Sequence, residues 1–220
     1  RFGRRSCLLG AGAAACVGAG LWLRCKELSE RDKTGKQQQN VNNPALPAGE
    51  WRAAWISYLE WALLDFSTAD TFRAGCAQML DDCAGLGLNT VLAQVRPFGD
   101  ALYPSDYFPF SHLCTGTQGQ DPGFDPLALL VDAAHARDLQ LEAWVNPYRI
   151  QAGQTPALCG ASPARLHPDW VRYTDTGAYL DPANADVRQY IADGVGELCA
   201  RYAAVSYTHL RAHETGAYLV

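Results

Sequence analysis

Apolar and polar residues follow the same order three times between residues 51 and 202. Each round begins with a short apolar run rich in branched and aromatic residues, which predicts a β-strand. Each run is then followed by a segment whose apolar residues recur three or four positions apart, which predicts an amphipathic helix. The predicted strands are WRAAWISY, LNTVLAQV and LQLEAWVNP.

The predicted helices have clear beginnings and apolar stripes. Ser67 and Thr68 can cap the first helix, and Asp125 followed by Pro126 is typical of the start of the second. Glycines end the first helix at Gly85 and shortly after it. The stripes are Phe72, Cys76, Leu80 and Cys83, then Leu127, Leu130, Val131 and Ala134, then Val187, Ile191, Val195, Leu198 and Tyr202.

Alternating strands and helices predict an α/β fold, with a parallel sheet and helices packed outside it. The predicted loops after the strands, residues 96–124 and 148–182, are long, whereas the loops after the helices are short. This asymmetry favours a (β/α)8 TIM barrel, truncated to about its first three βα units, with a site at the carboxyl ends of the strands. A doubly wound sheet shares the asymmetry. However, neither G-x-G-x-x-G after the first strand nor G-x-x-x-x-G-K is present, and no cofactor is predicted.

Polar side chains appear where the predicted strands end. Gln94 and Arg96 close the second strand and Asn146 closes the third, with alternation placing Gln94 and Arg96 on one face. Pro97 cannot donate to a strand ladder, so pairing is expected to stop there. Buried polar groups need partners, and a ligand site at the barrel mouth explains them more simply than packing does. The alternative is that Arg96 is a structural clamp paired with Asp100.

Composition and cysteine spacing argue against several kinds of partner, metal site and disulfide bond. Hydrophobic residues make up 48% of the 220 residues and charged residues 19%, which is typical of a globular chain. The net charge is -5 without a basic stripe beyond the first five residues, which argues against nucleic acid as a partner. No C-x-x-C occurs among the eight cysteines, so a structural zinc is disfavoured. A helix would hold Cys76 and Cys83 about 10 Å apart, beyond disulfide reach. A bridge between Cys114 and Cys159 stays open.

The amino-terminal residues predict export. A basic patch precedes a Gly/Ala-rich apolar stretch, so residues 1–24 are interpreted as an export signal or signal anchor. Arg4 and Arg5 suggest the twin-arginine route, and Cys16 after three alanines is a candidate lipoprotein site. Polar residues 25–49 are interpreted as a linker. The expected location is outside the cell or at the outer face of the cytoplasmic membrane, with membrane contact only through residues 1–24.

Several sequence blocks in the same order resemble the glycosyl hydrolase-like 10 family, also called DUF187. They are WIS, GLNTVLAQVRPFGDALYPS, DPGFDPLALLVDAAHARDLQLEAWVNPYR and LDPANADVRQYI, and the resemblance covers about residues 51–202. It implies an exported bacterial glycoside hydrolase with a TIM barrel and a carbohydrate substrate. It also implies that these residues at the mouth line a sugar site: Gln94, Arg96, Asp100, Tyr103, Asn146, Tyr148 and Arg149. Trp55 is a further candidate for binding the sugar. Many relatives carry His where this chain has Glu142, which we interpret as a buried, paired carboxylate.

Glycoside hydrolysis normally uses two carboxylates that flank the scissile bond. Asp100 is the candidate catalytic carboxylate at the mouth, although positioning Arg96 or a sugar hydroxyl is the favoured role. The acid/base pair is therefore expected in later barrel units, and the three-unit segment alone is expected to be inactive. A carbohydrate-binding barrel without catalysis is the alternative function. An amidohydrolase is disfavoured because its H-x-H is absent from the first strand.

The last residues do not continue the barrel pattern. Residues 50–204 are assigned to the barrel, and residues 205–220, which contain SYTHLRAHE, resemble a translated sequencing adapter and are interpreted as a non-native tail. His209, His213 and Glu214 form H-x-x-x-H-E in that tail. This order differs from H-E-x-x-H, where the Glu stands between the ligands, so no metal site is predicted.

Overall fold

A computed structural model describes residues 50–202 of the chain. Its first sheet is parallel and contains β1 (Ala53–Ile56), β2 (Thr90–Arg96) and β3 (Gln140–Val145), in that order. The helices are α1 (Tyr58–Trp61), α2 (Ala69–Gly85), α3 (His112–Thr115), α4 (Pro126–His135), α5 (Pro163–Leu166) and α6 (Ala185–Arg201). The three predicted strands and the three predicted long helices are confirmed, and α1, α3 and α5 are additional single turns.

The main core lies between one face of the parallel sheet and helices α2 and α4. Alternate residues of β2 and β3 are buried there together with the predicted stripes of the two helices. The sheet contributes Val91, Ala93, Val95, Leu141, Ala143 and Val145, and the helices contribute Phe72, Cys76, Leu80, Leu127, Leu130 and Ala134. Burial of these apolar side chains fixes which face of each strand points toward the helices.

The predicted helix caps are present. The side chain of Thr68 accepts a hydrogen bond from Thr71 N at 3.1 Å at the start of α2. Asp125 does the same for Ala128 N at 3.0 Å at the start of α4, where Pro126 occupies the first turn. Each cap satisfies a backbone N–H that the helix cannot pair, and so defines where the loop ends.

The segment after β3 differs from the predicted loop. It forms an antiparallel sheet in the order β4-β6-β5, built from β4 (Arg149–Ala152), β5 (Val171–Thr174) and β6 (Gly177–Leu180). The three strands have four residues each, too few to show an alternating pattern clearly. Residue 177 has a φ of 147°, and a Cβ there would lie 2.1 Å from Gln151 O. Only glycine fits this position.

Helix α6 connects the two hydrophobic cores. Val187 and Ile191 in its first half pack with Ile150 and Leu180 of the antiparallel sheet. In its second half, Leu198 and the following Tyr202 join the main core. The helix therefore fixes the antiparallel sheet relative to the barrel strands.

No helix within residues 50–202 is long and apolar enough to cross a membrane. The predicted export segment 1–24 with Cys16, the linker 25–49, and His209, His213 and Glu214 lie outside the described residues.

Candidate functional site

Gln94 fixes the loop that follows β1. Its side chain is buried, and its Oε1 accepts a hydrogen bond from Tyr58 N at 3.0 Å. Its backbone carbonyl accepts from Trp61 Nε1 at 2.8 Å. Helix α1 is thus held over the carboxyl end of β2 by two bonds to one residue.

Asn146 joins the ends of β2 and β3. Its backbone N–H donates to Arg96 O at 2.9 Å, and its Nδ2 donates to Pro97 O at 3.1 Å. Its Oδ1 accepts from Trp144 Nε1 at 3.0 Å, and the Trp144 ring meets Trp55 edge-on with centroids 4.9 Å apart. Trp55 is 43% exposed on the sheet. Asn146 therefore holds the ends of two neighbouring strands together.

Arg96 does not share the environment of Gln94. The pairing register shifts between these two residues, and the Arg96 guanidinium packs over the Phe108 ring, 3.9 Å from its centroid. Only 1% of Arg96 is exposed, and within residues 50–202 its three guanidinium nitrogens have no hydrogen-bond acceptor. A Cβ added at Gly194 of α6 would come within 3.3 Å of its Nη1.

Tyr103 is fully buried beside Arg96, where its ring meets that of Tyr202 edge-on. Burial raises the pKa of Tyr103 to about 12, and the nearby charge of Arg96 opposes that rise. The hydroxyl is therefore protonated at neutral pH. Arg96 and Tyr103 lie together beside α6, buried among aromatic rings.

Asp100 pairs with His112, and the hypothesis of a clamp between Asp100 and Arg96 is wrong. Asp100 is fully buried, and its Oδ2 lies 3.2 Å from His112 Nδ1 and 3.2 Å from Gln118 Nε2. The His112 backbone N–H also points at Oδ2, at 3.4 Å. Gln118 Oε1 in turn accepts from Cys159 N at 3.0 Å, which ties the loop after β2 to the segment after β3.

Sequence reasoning missed His112 and Gln118. Both lie in the long loop after β2, where no periodic pattern marks which polar side chains turn inward. An informative signal was present nonetheless. A carboxylate placed directly after a strand end needs donors if it is buried, and both residues follow Asp100 within 18 positions of the same loop.

Three half-buried polar or aromatic side chains surround the Phe98 ring at the carboxyl ends of the strands. The ring centroid of Phe98 lies 5.5 Å from that of Tyr58, 5.5 Å from that of His112 and 6.0 Å from Arg149 Cζ. We call these four residues the mouth cluster. Its members come from the segments that follow β1, β2 and β3, so it requires the folded sheet. Ring faces and nitrogen donors together suit a ligand that has both apolar faces and hydroxyl groups.

The predicted site residues are distributed around this cluster. Arg149 belongs to it, and Gln94 and Asp100 hold Tyr58 and His112 in place. Tyr148 is half-buried against the second core, and its carbonyl accepts from Leu180 N at 2.7 Å. The remaining predicted residues are not in the cluster: Arg96 and Tyr103 lie beside α6, Asn146 bridges the strands, and Trp55 lies on the sheet.

Three further observations concern the cysteines, the arrangement of possible metal ligands and Glu142. Cys114 and Cys159 are free thiols, so the bridge between them is absent. Among residues 50–202, no group of three His, Cys, Asp or Glu side chains is placed to hold a metal ion. Glu142 is buried, as its position in the third strand predicted.

Comparison with known proteins gives consistent matches. A family model described as Glycosyl hydrolase-like 10 matches residues 50–213. Glycosyl hydrolase YngK of Bacillus subtilis (strain 168) is 38% identical over 158 residues, which cover 70% of this chain and 31% of that protein. Glycosyl hydrolase DigH of Escherichia coli (strain K12) is 36% identical over 171 residues, covering 70% of this chain and 39% of that protein.

A solved structure shows a similar fold. Pullulanase from Paenibacillus barengoltzii, in complex with maltohexaose and alpha-cyclodextrin, aligns with a TM-score of 0.51 at 15% identity, over 80% of this chain and 33% of that chain. Together with the three parallel βα units, this likeness identifies the fold as part of a (β/α)8 barrel, as predicted. The chain spans well under half the length of the curated relatives that it matches. The match over residues 50–213 and these relatives show that the chain belongs to the glycosyl hydrolase-like 10 family.

Proposed function

We propose that the full-length protein is an exported glycoside hydrolase that cleaves O-glycosyl bonds of a glycan. The observation that carries the proposal is the mouth cluster, in which Tyr58, His112 and Arg149 surround Phe98 at the carboxyl ends of three barrel strands. In a (β/α)8 barrel this edge is where catalytic sites lie. Export rests on the composition of residues 1–24.

The described residues supply binding groups for one side of this site. Asp100 contacts His112, and Glu60 lies in the same short helix as Tyr58; both carboxylates are engaged by the protein. Asp100 is held by His112 and Gln118. Glu60 accepts from the Ser57 hydroxyl at 2.6 Å and from its N–H at 2.7 Å, and these hydrogen bonds lower the pKa of Glu60. We therefore place the catalytic acid/base pair in the barrel units that follow residue 202.

A screen of the full-length protein against polysaccharides tests the proposal. The panel contains bacterial cell-wall glycan, plant polysaccharides and α-glucans, the last because the structurally similar pullulanase was solved with maltohexaose. The expected result is release of new reducing ends from at least one of them. Binding without release would support a carbohydrate-binding barrel without catalysis. Neither binding nor release would contradict both functions.

The residues at the ends of the later barrel strands distinguish a glycoside hydrolase from a carbohydrate-binding protein. An enzyme requires two carboxylates across the scissile bond, about 5 Å apart for retention and further apart for inversion. Asn or Gly at those strand ends in the full-length gene would favour the binding protein. Substitution of either carboxylate by its amide should abolish release of reducing ends and leave glycan binding measurable.

Residues 50–202 expressed alone are expected to be inactive. Three parallel strands cannot close a barrel, so the inner sheet face and the outer edges of β1 and β3 would be open to solvent or to other chains. The expected behaviour is poor solubility and a broad thermal transition. A fragment that melts cooperatively and cleaves glycan would contradict this expectation.

A further inference from the structure

Asp100 and the half-buried His112 form a pair of which the sequence analysis included only Asp100. The carboxylate is fully buried, the imidazole keeps 16% of its side-chain surface exposed, and Nδ1 lies 3.2 Å from Asp100 Oδ2. Gln118 Nε2 and the His112 backbone N–H reach the same oxygen, so the carboxylate is fixed from three directions. A carboxylate held in this way fixes both the tautomer and the orientation of the ring that it contacts.

The other side of the ring belongs to the mouth cluster. The His112 ring is tilted by 59° against Phe98, with centroids 5.5 Å apart, and the same Phe98 ring contacts Tyr58 and Arg149. Nδ1 lies against Asp100, and among residues 50–202 the hydrogen bond found for the ring is the one at Nδ1. Nε2 is therefore the polar ring atom that remains for a ligand at the mouth.

We propose that His112 is a substrate-binding residue whose Nε2 accepts a hydrogen bond from a glycan hydroxyl, and that Asp100 is its positioning residue. The proposal rests on the proposed glycan-directed function and assigns one contact within it. Because the carboxylate accepts from Nδ1–H, a neutral ring presents Nε2 as an acceptor, whereas Arg149 in the same cluster can only donate. A hydroxyl that donates to Nε2 can also accept from the guanidinium, so the two groups can hold one sugar ring together.

Histidine spectra of the full-length protein test the pair without any ligand. Selective 13C labelling of histidine reports the tautomer through the Cδ2 shift, and the spectrum of His112→Gln assigns the signal. The expected result is the Nδ1–H tautomer in the wild type, with weaker tautomer preference in Asp100→Asn. An Nε2–H ring in the wild type would overturn the proposal, because Nε2 could then not accept from a hydroxyl.

Binding measurements on the full-length protein test the ligand contact. The probes are maltohexaose, cellohexaose and chitohexaose, together with any glycan that the screen identifies. Loss of one neutral hydrogen bond in His112→Gln should weaken binding about 3- to 10-fold. The matched control is His167→Gln, because His167 is also half-buried against an aromatic ring, Trp170, at 3.8 Å, and takes no part in the mouth cluster. His167→Gln is expected to bind like the wild type.

The outcomes separate this proposal from the function on which it rests. Glycan binding that Arg149→Ala weakens and His112→Gln leaves unchanged would overturn the role of His112 and leave the glycan-directed function intact. A protein that binds none of the glycans would overturn the proposed function, and the ligand contact would fail with it whatever the tautomer. Weaker binding by His112→Gln, with an unchanged melting temperature and the Nδ1–H tautomer in the wild type, would support the proposal.

Discussion

Gln94 and Tyr58 are joined by a hydrogen bond in which the backbone N–H of Tyr58 donates to Gln94 Oε1 at 3.0 Å. The bond connects the end of β2 to the loop after β1, which carries one member of the mouth cluster. The resemblance implies that Gln94 binds sugar, and the structure gives its side chain a partner within the protein. The side chain of Gln94 therefore positions Tyr58.

Replacing Gln94 by Ala should destabilise the full-length protein by about 1–3 kcal/mol, because the Tyr58 N–H loses its acceptor and a buried side chain is removed. The free energy of unfolding in urea measures the change. Gln78→Ala is the matched control, since Gln78 is exposed on α2 and its side chain only reaches Asp82. An equal change in the free energy of unfolding for both variants would show that the hydrogen bond to Tyr58 does not contribute to stability.

Tyr202→Phe should also reduce stability, through the start of α4. The Tyr202 hydroxyl donates to Asp125 Oδ2 at 2.6 Å, while Asp125 Oδ1 caps the helix. Burial raises the pKa of Tyr202, so the hydroxyl stays a donor at neutral pH. Loss of a hydrogen bond to a charged group is expected to cost about 1.5–3 kcal/mol.

The control for Tyr202→Phe is Tyr179→Phe, whose hydroxyl makes an exposed hydrogen bond with Thr176 in the turn between β5 and β6. Its midpoint in urea should stay close to that of the wild type. Similar losses in both variants would mean that the carboxylate of Asp125 does not distinguish the two hydroxyls.

The fold was largely predictable because long elements leave a repeating pattern. The stripe Phe72, Cys76 and Leu80 marks α2, and Asp125 with Pro126 marks the start of α4. The antiparallel sheet was missed because its four-residue strands do not lie within longer apolar runs, as the equally short β1 does, and because its turn depends on Gly177, whose φ of 147° leaves no signal in hydrophobicity. Such short elements are fixed by tertiary contacts.

The site was less predictable for a related reason. Alternation along a strand assigns Gln94 and Arg96 to one face, but a register shift between them sends the Arg96 guanidinium to Phe108. No residue in the segment QVRP predicts that irregularity. A buried Asp100 needs donors from its own loop, but which of them reaches it was not predictable, because His112 is brought to it by a loop whose path depends on packing around Phe98.

Gly194→Ala should destabilise the protein although alanine favours helices. A Cβ at residue 194 would lie 2.5 Å from Phe108 Cε2 and 3.3 Å from Arg96 Nη1, and both neighbours are buried. Overpacking costs about 1–3 kcal/mol, which exceeds the gain of about 1 kcal/mol in helix propensity. Gly85→Ala is the matched change at the exposed end of α2, where nothing lies within 4 Å, and it should be neutral or stabilising. Thermal melts that rank the two variants in the opposite order would refute the packing argument.

Cys114 should resist alkylation at neutral pH, whereas the half-buried Cys159 should react first. Burial, reinforced by the charges of Asp100 and Asp121, raises the pKa of the Cys114 thiol to about 12. Burial alone raises the pKa of Cys76 to about 12. Because the thiolate is the reactive form, roughly one such thiol in ten thousand is ionised at pH 8. The thiolate fraction grows as pH rises toward 12, so labelling of Cys114 should accelerate with pH.

Iodoacetamide labelling followed by peptide mass spectrometry measures the order of reaction. The reading at pH 8 requires native protein, because unfolding exposes both thiols equally, and a urea-unfolded sample supplies that reference. Recovery of a disulfide-linked Cys114–Cys159 peptide from freshly isolated native protein would contradict the free thiols seen here.

Arg149→Ala should lower kcat/KM of the full-length protein on its glycan about 10- to 100-fold, the effect expected for loss of a charge-assisted hydrogen bond. Arg149 lies at the start of β4, half-buried, with its guanidinium 6.0 Å from the Phe98 ring in the mouth cluster. None of the salt bridges among residues 50–202 involves Arg149, so its removal should change the melting temperature little.

Arg172→Ala is the control for Arg149→Ala, because both arginines lie opposite Tyr179 in the same antiparallel sheet. Arg172 is exposed and paired with Asp181 at 2.7 Å, and such a surface pair contributes about 0–1 kcal/mol. The kcat/KM of the Arg172→Ala variant should equal that of the wild type. If instead both variants keep full activity, the guanidinium beside Phe98 does not touch substrate, and the mouth cluster has to be read as packing between three loops.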